Sequence, residues 1–291
     1  MAYFADQIFN GLSLGTVYAL IALGFAIVYG VLRLLNFAHF EVFTIGTFVG
    51  YFALNLLVVY LPGTVAALVA VCLAGIAGGL AAIMVERLAY RPIRGEPKVT
   101  ALVTAIAVAI LMENLGITFL SAHTRGYPKV ELPLSPKVVA VVVLAGTFAF
   151  TYWLVYFTDL GLKLRAVAEC TDIASLMGIR PDPVITLAFF VGGAFAGSAG
   201  VVWGLVYGTV NPQMGFVPGL KAFIIAVIGG IGDLRGTFLM GVALGILEAL
   251  IAGYLTSELS GFKESIVLGV LLVLLVWRPN GVFSKPEQIK V

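Results

Sequence analysis

Asn36, His39 and Glu41 fall within six residues of each other in RLLNFAHFEVFTIG, Arg33 to Gly46, and little else nearby can do chemistry. No Asp, Glu, Lys, Arg or His stands between Asp6 and Arg33, nor between Glu41 and Glu86. Two further carboxylates interrupt apolar runs: Glu113 in AVAILMENLGITF and Glu248 in ALGILEALIAG. Asn114 and Asn55 are weaker examples of the same pattern. An ionisable group near a bilayer centre costs roughly 2.5 to 3.5 kcal/mol on insertion scales, so it turns toward protein or water. Such groups relay protons or meet a polar solute; alternatively they bond a neighbouring helix and only fix packing. In a helix Asn36, His39 and Phe43 share a face while Glu41 points elsewhere. A plain span would leave one polar group in lipid, so the stretch reads as lying at the cytoplasmic interface or as a broken segment lining a cavity.

The composition makes lipid the solvent. Of 291 residues 61% are hydrophobic and only 11% charged, where a soluble chain carries roughly a quarter charged residues. A net charge of +2 gives no reason to expect a nucleic-acid partner. Cys72 and Cys170 are too far apart for a metal or disulfide pattern, and His39 and His123 are expected on opposite faces, so no metal site is read. No Ser/His/Asp or Cys/His arrangement points to an enzyme. The first apolar run has no preceding Lys or Arg and is expected to remain as a span.

Punctuation by Pro, Gly and charge divides the chain into roughly nine apolar segments, about 6–31, 42–60, 64–85, 99–120, 138–157, 184–208, 217–232, 236–256 and 260–277. The seventh is short and re-entrant in one reading, which makes the count eight. The expected fold is an all-α, polytopic membrane bundle forming one integral-membrane domain over 1–291. With the N-terminus outside, 12 of the 17 Lys and Arg face the cytoplasm, Lys285 and Lys290 among them, and Lys221 falls near the membrane edge. That topology places the C-terminus inside; a re-entrant seventh segment would reverse every later segment.

Small residues recur at helical spacing at Gly192, Gly193, Gly197, Gly200, Gly204 and Gly208, at Gly75 and Gly79, and at Gly241 and Gly245. Such rows let helix backbones approach closely in lipid. Segments 73–86 and 236–248 each run a glycine-rich helix into a Glu and cross in opposite directions, a hint of an inverted repeat. The most distinctive stretch is GLKLRAVAECTDIASLMGIRPDPV, read as one cytoplasmic amphipathic helix over about 161–183. Its polar side carries Arg165, Glu169 and Asp172, and its tail is a small-residue, Met-containing knob that suits a protein partner better than lipid.

This block resembles the cytoplasmic coupling segment of permease subunits in branched-chain amino acid ABC importers, through Arg165, Ala166, Ala168, Glu169, Ala174, Leu176, Met177, Gly178 and Ile179. The stretches GTVYALIALGFAIVYG with NFAHFEVFTIGTF, VERLAYRPIRG, and GLKAFIIAVIGGIGDLRGTFLMGVALGILE match in order along nearly the whole chain. Phe40 stands where the family commonly has Gly. The resemblance implies a LivH-like permease that holds no cofactor of its own. It further implies a second, LivM-like permease, two cytoplasmic ATPase subunits gripping 161–183 and consuming the ATP, and an extracytoplasmic solute-binding protein. The sequence itself has no GxxxxGK[ST] loop. Urea and short amides are alternative substrates within the family; a proton-coupled secondary transporter using Glu113, Glu248 and His39, or a membrane scaffold, is the alternative outside it.

Overall fold

A backbone in hydrocarbon must satisfy its N–H and C=O groups within its own segment, so long apolar runs become helices. The computed structural model describes residues 2–133, 135–230, 232–255, 259–278 and 281. In chain order these are α1 (Ala2–Leu32), α2 (His39–Leu57), α3 (Gly63–Val85, continued by a π-helical turn Glu86–Tyr90), α4 (Lys98–Leu120), β1 (Arg125–Gly126) and α5 (Pro136–Phe157). They continue with α6 (Asp159–Glu169), α7 (Thr171–Leu176), α8 (Pro181–Tyr207), β2 (Thr209–Val210), α9 (Phe216–Ile228), α10 (Leu234–Tyr254) and α11 (Lys263–Trp277). Among the described residues eight helices are long and apolar enough to cross a membrane: α1 to α5, α8, α10 and α11. Prolines open several of them, at Pro136 and Pro181 inside the first turn, where a missing N–H is harmless. Asp233 caps α10 by accepting from the backbone N–H of Arg235 and Gly236.

The core is built around α1, which packs on α10, α8, α9 and α5. Gly208 only caps α8 at φ +72° with nothing near it, but the other glycines of the rows admit close neighbours as their spacing predicts. A Cβ on Gly245 would stand 2.1 Å from the Gly15 nitrogen, and one on Gly197 would stand 2.2 Å from the Ala74 carbonyl, so α1/α10 and α3/α8 touch backbone to backbone. α3, α4, α5 and α11 leave apolar side chains on the outside of the bundle, with Leu68, Ile110, Phe150 and Val273 exposed.

The seventh apolar segment is α9, a helix of 13 residues; at 1.5 Å per residue it is about 20 Å long and cannot span alone. It is half of a broken crossing. The chain leaves α8, pairs β2 antiparallel with β1, and descends until Gly215 and Gly219 lie against Phe40 near the start of α2. From there α9 continues to Gly229, which packs on Thr237 at the start of α10. Among the described residues nine successive segments, α1 to α5 and α8 to α11, therefore alternate in direction. Tyr3 at the start of α1 bonds Gly253 at the end of α10, while Gly281 beyond α11 adjoins Gly230 at the opposite end. The two ends of the described chain thus lie at opposite ends of the bundle, and the segment does not reverse the directions of α10 and α11. Lys285 and Lys290 lie outside the described residues.

The block over 161–183 is two helices and not one. Cys170 is extended (φ −157°, ψ 112°) between α6 and α7. Thr171 and Asp172, residue types that favour helix starts, open α7. Gly178, at φ +83°, turns the chain toward α8. Pro181 and Pro183 do not only end the block; they begin α8.

Candidate functional site

The stretch from Arg33 to Ala38 is a return path. Arg33 adopts φ 54°, and the chain then runs back along α1 until His39, the first residue of α2, lies with Nε2 3.3 Å from the Ile21 carbonyl. Ile21 is eleven residues before the end of α1, about 16 Å in from that end. The Tyr90 hydroxyl holds the path in place by donating to the Leu35 carbonyl at 2.9 Å and to Asn36 Oδ1 at 3.2 Å. Asn36, His39 and Glu41 are all buried, and His39 Nδ1 has no hydrogen-bond partner among the described residues.

Two helix N-termini therefore meet inside the bundle, that of α2 running one way and that of α9 running the other. Phe37, Phe40, Phe216 and Phe223 ring the junction, with Phe37 and Phe40 edge to face at 5.5 Å and Phe40 and Phe216 at 6.5 Å. Phe216 and Val217, at 58% and 44% exposure, open the junction to the outside of this chain. Broken helices with positive N-terminal ends at mid-depth are the usual frame of a transport path. Above the junction Tyr127, from the loop after α4, seats its ring on Gly204 and donates to the Thr47 carbonyl at 3.5 Å. Burial raises its hydroxyl pKa well above the ordinary phenol value.

Glu248 belongs to a separate cluster. Its Oε2 accepts from Lys221 Nζ and from the Tyr18 hydroxyl, each at 2.9 Å, and its Oε1 faces Lys263 Nζ at 3.3 Å. Lys221 also meets Glu264 at 2.6 Å. Two cations balance two carboxylates across α9, α10 and α11, with α1 contributing the phenol. Lys221 is 1% exposed, packed inside the bundle and paired with Glu264 in the first turn of α11. Its signal was a lone Lys within the apolar run FVPGLKAFIIAVI.

The remaining sequence candidates are dispersed. Glu113 is half-buried on α4. Asn55 and Asn114 are exposed, each bonding a carbonyl of its own helix, Tyr51 and Ile110. At the end of the bundle where α3 and α8 meet, Glu86 is fully buried, accepting from Arg94 at 2.6 Å and from Thr186 at 3.2 Å. Asp182 holds Arg91 and Arg94, each at 2.5 Å. Sequence reading missed this network, whose signal was Glu86 closing an apolar run ahead of three arginines.

The predicted coupling residues gather at that same end. α6 buries Gly161, Leu164 and Val167 against the bundle and leaves Arg165 and Glu169 outward, Arg165 lying over the Tyr156 ring at 5.3 Å. α7 buries only Ala174. Asp172, Ile173, Leu176, Met177 and Gly178 stand exposed, Leu176 at 85% and Met177 at 78%, with Ile179 half-buried behind them. Arg33 Nη2 donates to the Ala168 carbonyl at 3.3 Å, so the return path and α6 are in contact.

Fold and site together define a class, a polytopic α-helical membrane permease with two helices broken at mid-depth and an apolar knob projecting from one end. The chain belongs to the family of permease components of branched-chain amino acid transport systems, whose model matches residues 7–276. It is 36% identical over 310 residues to the high-affinity branched-chain amino acid transport system permease protein LivH of Escherichia coli, covering 99% of this chain and 98% of that one. To BraD of Pseudomonas aeruginosa, named for the same system, it is 33% identical over 305 residues, with the same coverage. It is also similar to LivM of Salmonella typhimurium, 26% identical over 132 residues, 44% of this chain and 30% of that one. No solved structure matches the chain.

Proposed function

We propose that this chain is one of two homologous permease subunits of an ABC importer for branched-chain amino acids in a plasma membrane. Separate cytoplasmic ATPase subunits drive it, and an extracytoplasmic solute-binding protein supplies the amino acid. The observation that carries the reading is the α7 knob. Leu176 and Met177 are the most exposed large apolar side chains of α6 and α7 and sit at the end of the bundle rich in arginine. Water does not favour such a knob and lipid does not explain the charges beside it, whereas a groove in a partner protein fits both. The end carrying α7 is then cytoplasmic, with the N-terminus outside and the C-terminus inside.

In this reading the α2/α9 junction lines this chain's half of the path, and the second permease supplies the other half against Phe216 and Val217. Asn36, His39 and Glu41 border the junction, and Glu113 is half-buried on α4. The names of the relatives favour branched-chain amino acids over urea or amides. Lys221 and Lys263 flank Glu248, which makes it a poor proton relay and counts against proton-coupled transport. Purification of the tagged chain from its native membrane in gentle detergent tests the assembly. Two P-loop ATPases and a second permease are expected with it, and arrival of the chain alone would refute the reading.

A further inference from the structure

We propose that the cavity between the end of α3 and the start of α8 binds the headgroup of one anionic phospholipid. The cavity is an open cleft of about 400 Å³ whose lining combines the apolar Ile83, Pro183, Leu187 and Phe190 with the polar Arg87, Arg91, Asp182 and Thr186. Its size falls in the range of small-molecule sites. The polar groups are already assigned to each other with one bias. Both Asp182 oxygens hold arginines, and the Thr186 hydroxyl donates to Glu86. Arg94 is divided between Glu86 and Asp182. What remains is donor capacity: the unused N–H groups of Arg91, which is half exposed, and the whole guanidinium of Arg87. Arg87 has no ion pair or hydrogen bond among the described residues. Three arginines against Glu86 and Asp182 leave the cluster one positive charge in excess.

Position selects the ligand. Arg87 lies three residues before the end of the Gly63–Tyr90 span, the part of a crossing helix that reaches the headgroups. Below it Leu80 and Met84 are exposed on the same helix, 53% and 60%, and continue the apolar wall toward the bilayer interior. A molecule that fills the cavity needs acceptor oxygens at one end and hydrocarbon at the other. Basic pockets between membrane helices meet that description with acidic lipid headgroups.

The test is native mass spectrometry of the full chain, purified in detergent and titrated with phosphatidylglycerol or phosphatidylcholine. The chain is expected to retain one phosphatidylglycerol in preference to phosphatidylcholine. Arg87→Gln should lower that occupancy about fivefold, the weight of one basic group at an anionic surface, while Arg87→Lys keeps most of it. Arg235→Gln, at the same end of the bundle, should leave occupancy unchanged. Equal retention of both lipids, or equal loss in Arg235→Gln, would overturn the proposal. Displacement of phosphatidylglycerol by millimolar inorganic phosphate would reassign the cavity to a free anion. Shielding of Arg87 from phenylglyoxal only when ATPase subunits are bound would reassign it to a protein contact.

Discussion

Lys221 and Glu248 form a 2.9 Å ion pair inside the bundle, with side chains 1% and 3% exposed, tying the broken helix α9 to α10. Removing Lys221 leaves Lys263 as the remaining cation of the cluster against Glu248 and Glu264, and breaking a buried pair costs up to about 3–5 kcal/mol. Lys221→Met is therefore expected to lower the thermal unfolding temperature of the purified chain sharply. Lys221→Met combined with Glu248→Leu leaves Lys263 and Glu264, already 4.0 Å apart, to neutralise each other. The double variant should recover more than half of the loss, as read by the same melting curve.

Gly15 and Gly245 place α1 on α10 with no room for a methyl group. Gly245→Ala forces the helices apart and should destabilise by about 1–3 kcal/mol, the usual range for overpacking. Gly146→Ala, which meets nothing within 4 Å, is the matched control and should melt like the parent.

Arg33 joins a strained backbone to a contact with α6, and the two roles separate experimentally. Its φ of 54° suits glycine, so Arg33→Gly should not lower the unfolding temperature. Loss of the bond to the Ala168 carbonyl, worth about 1 kcal/mol net and offset in stability by relief of the strained φ, should nonetheless reduce ATP-driven uptake about fivefold. Uptake by reconstituted vesicles and a melting curve on the same preparation check both halves.

Sidedness rests on placing α7 in the cytoplasm. In a chain with Cys72 and Cys170 replaced, Lys129→Cys in the loop before α5 should react with an impermeant maleimide on intact cells. Met177→Cys should react only after permeabilisation.

The glycine rows and the apolar runs were legible because lipid leaves backbone few options: helix length and close contact are written in local composition. Leu176, Met177 and Gly178 were legible for the same reason, as an apolar knob among charges. The Lys221–Glu248 pair was not, since it joins residues far apart in sequence and nothing in FVPGLKAFIIAVI names the partner. The break at Cys170 was hidden because Leu164, Val167 and Ala174 keep a helical spacing across it. Asn36, His39 and Glu41 marked an irregular segment, but its return to the depth of Ile21 depends on α1 and on Tyr90, which only the fold supplies.

The most direct test of the central claim is leucine uptake by vesicles holding this chain with its second permease, ATPase subunits and binding protein. Leu176→Asp with Met177→Asp lies on a surface the fold does not bury, so the chain should melt unchanged. ATP-dependent uptake should fall about tenfold or more, the loss expected when an anchor side chain of an interface is removed, and an uncoupler should not affect the parent. Undiminished uptake in the variant, or uptake abolished by the uncoupler at constant ATP, would contradict the account.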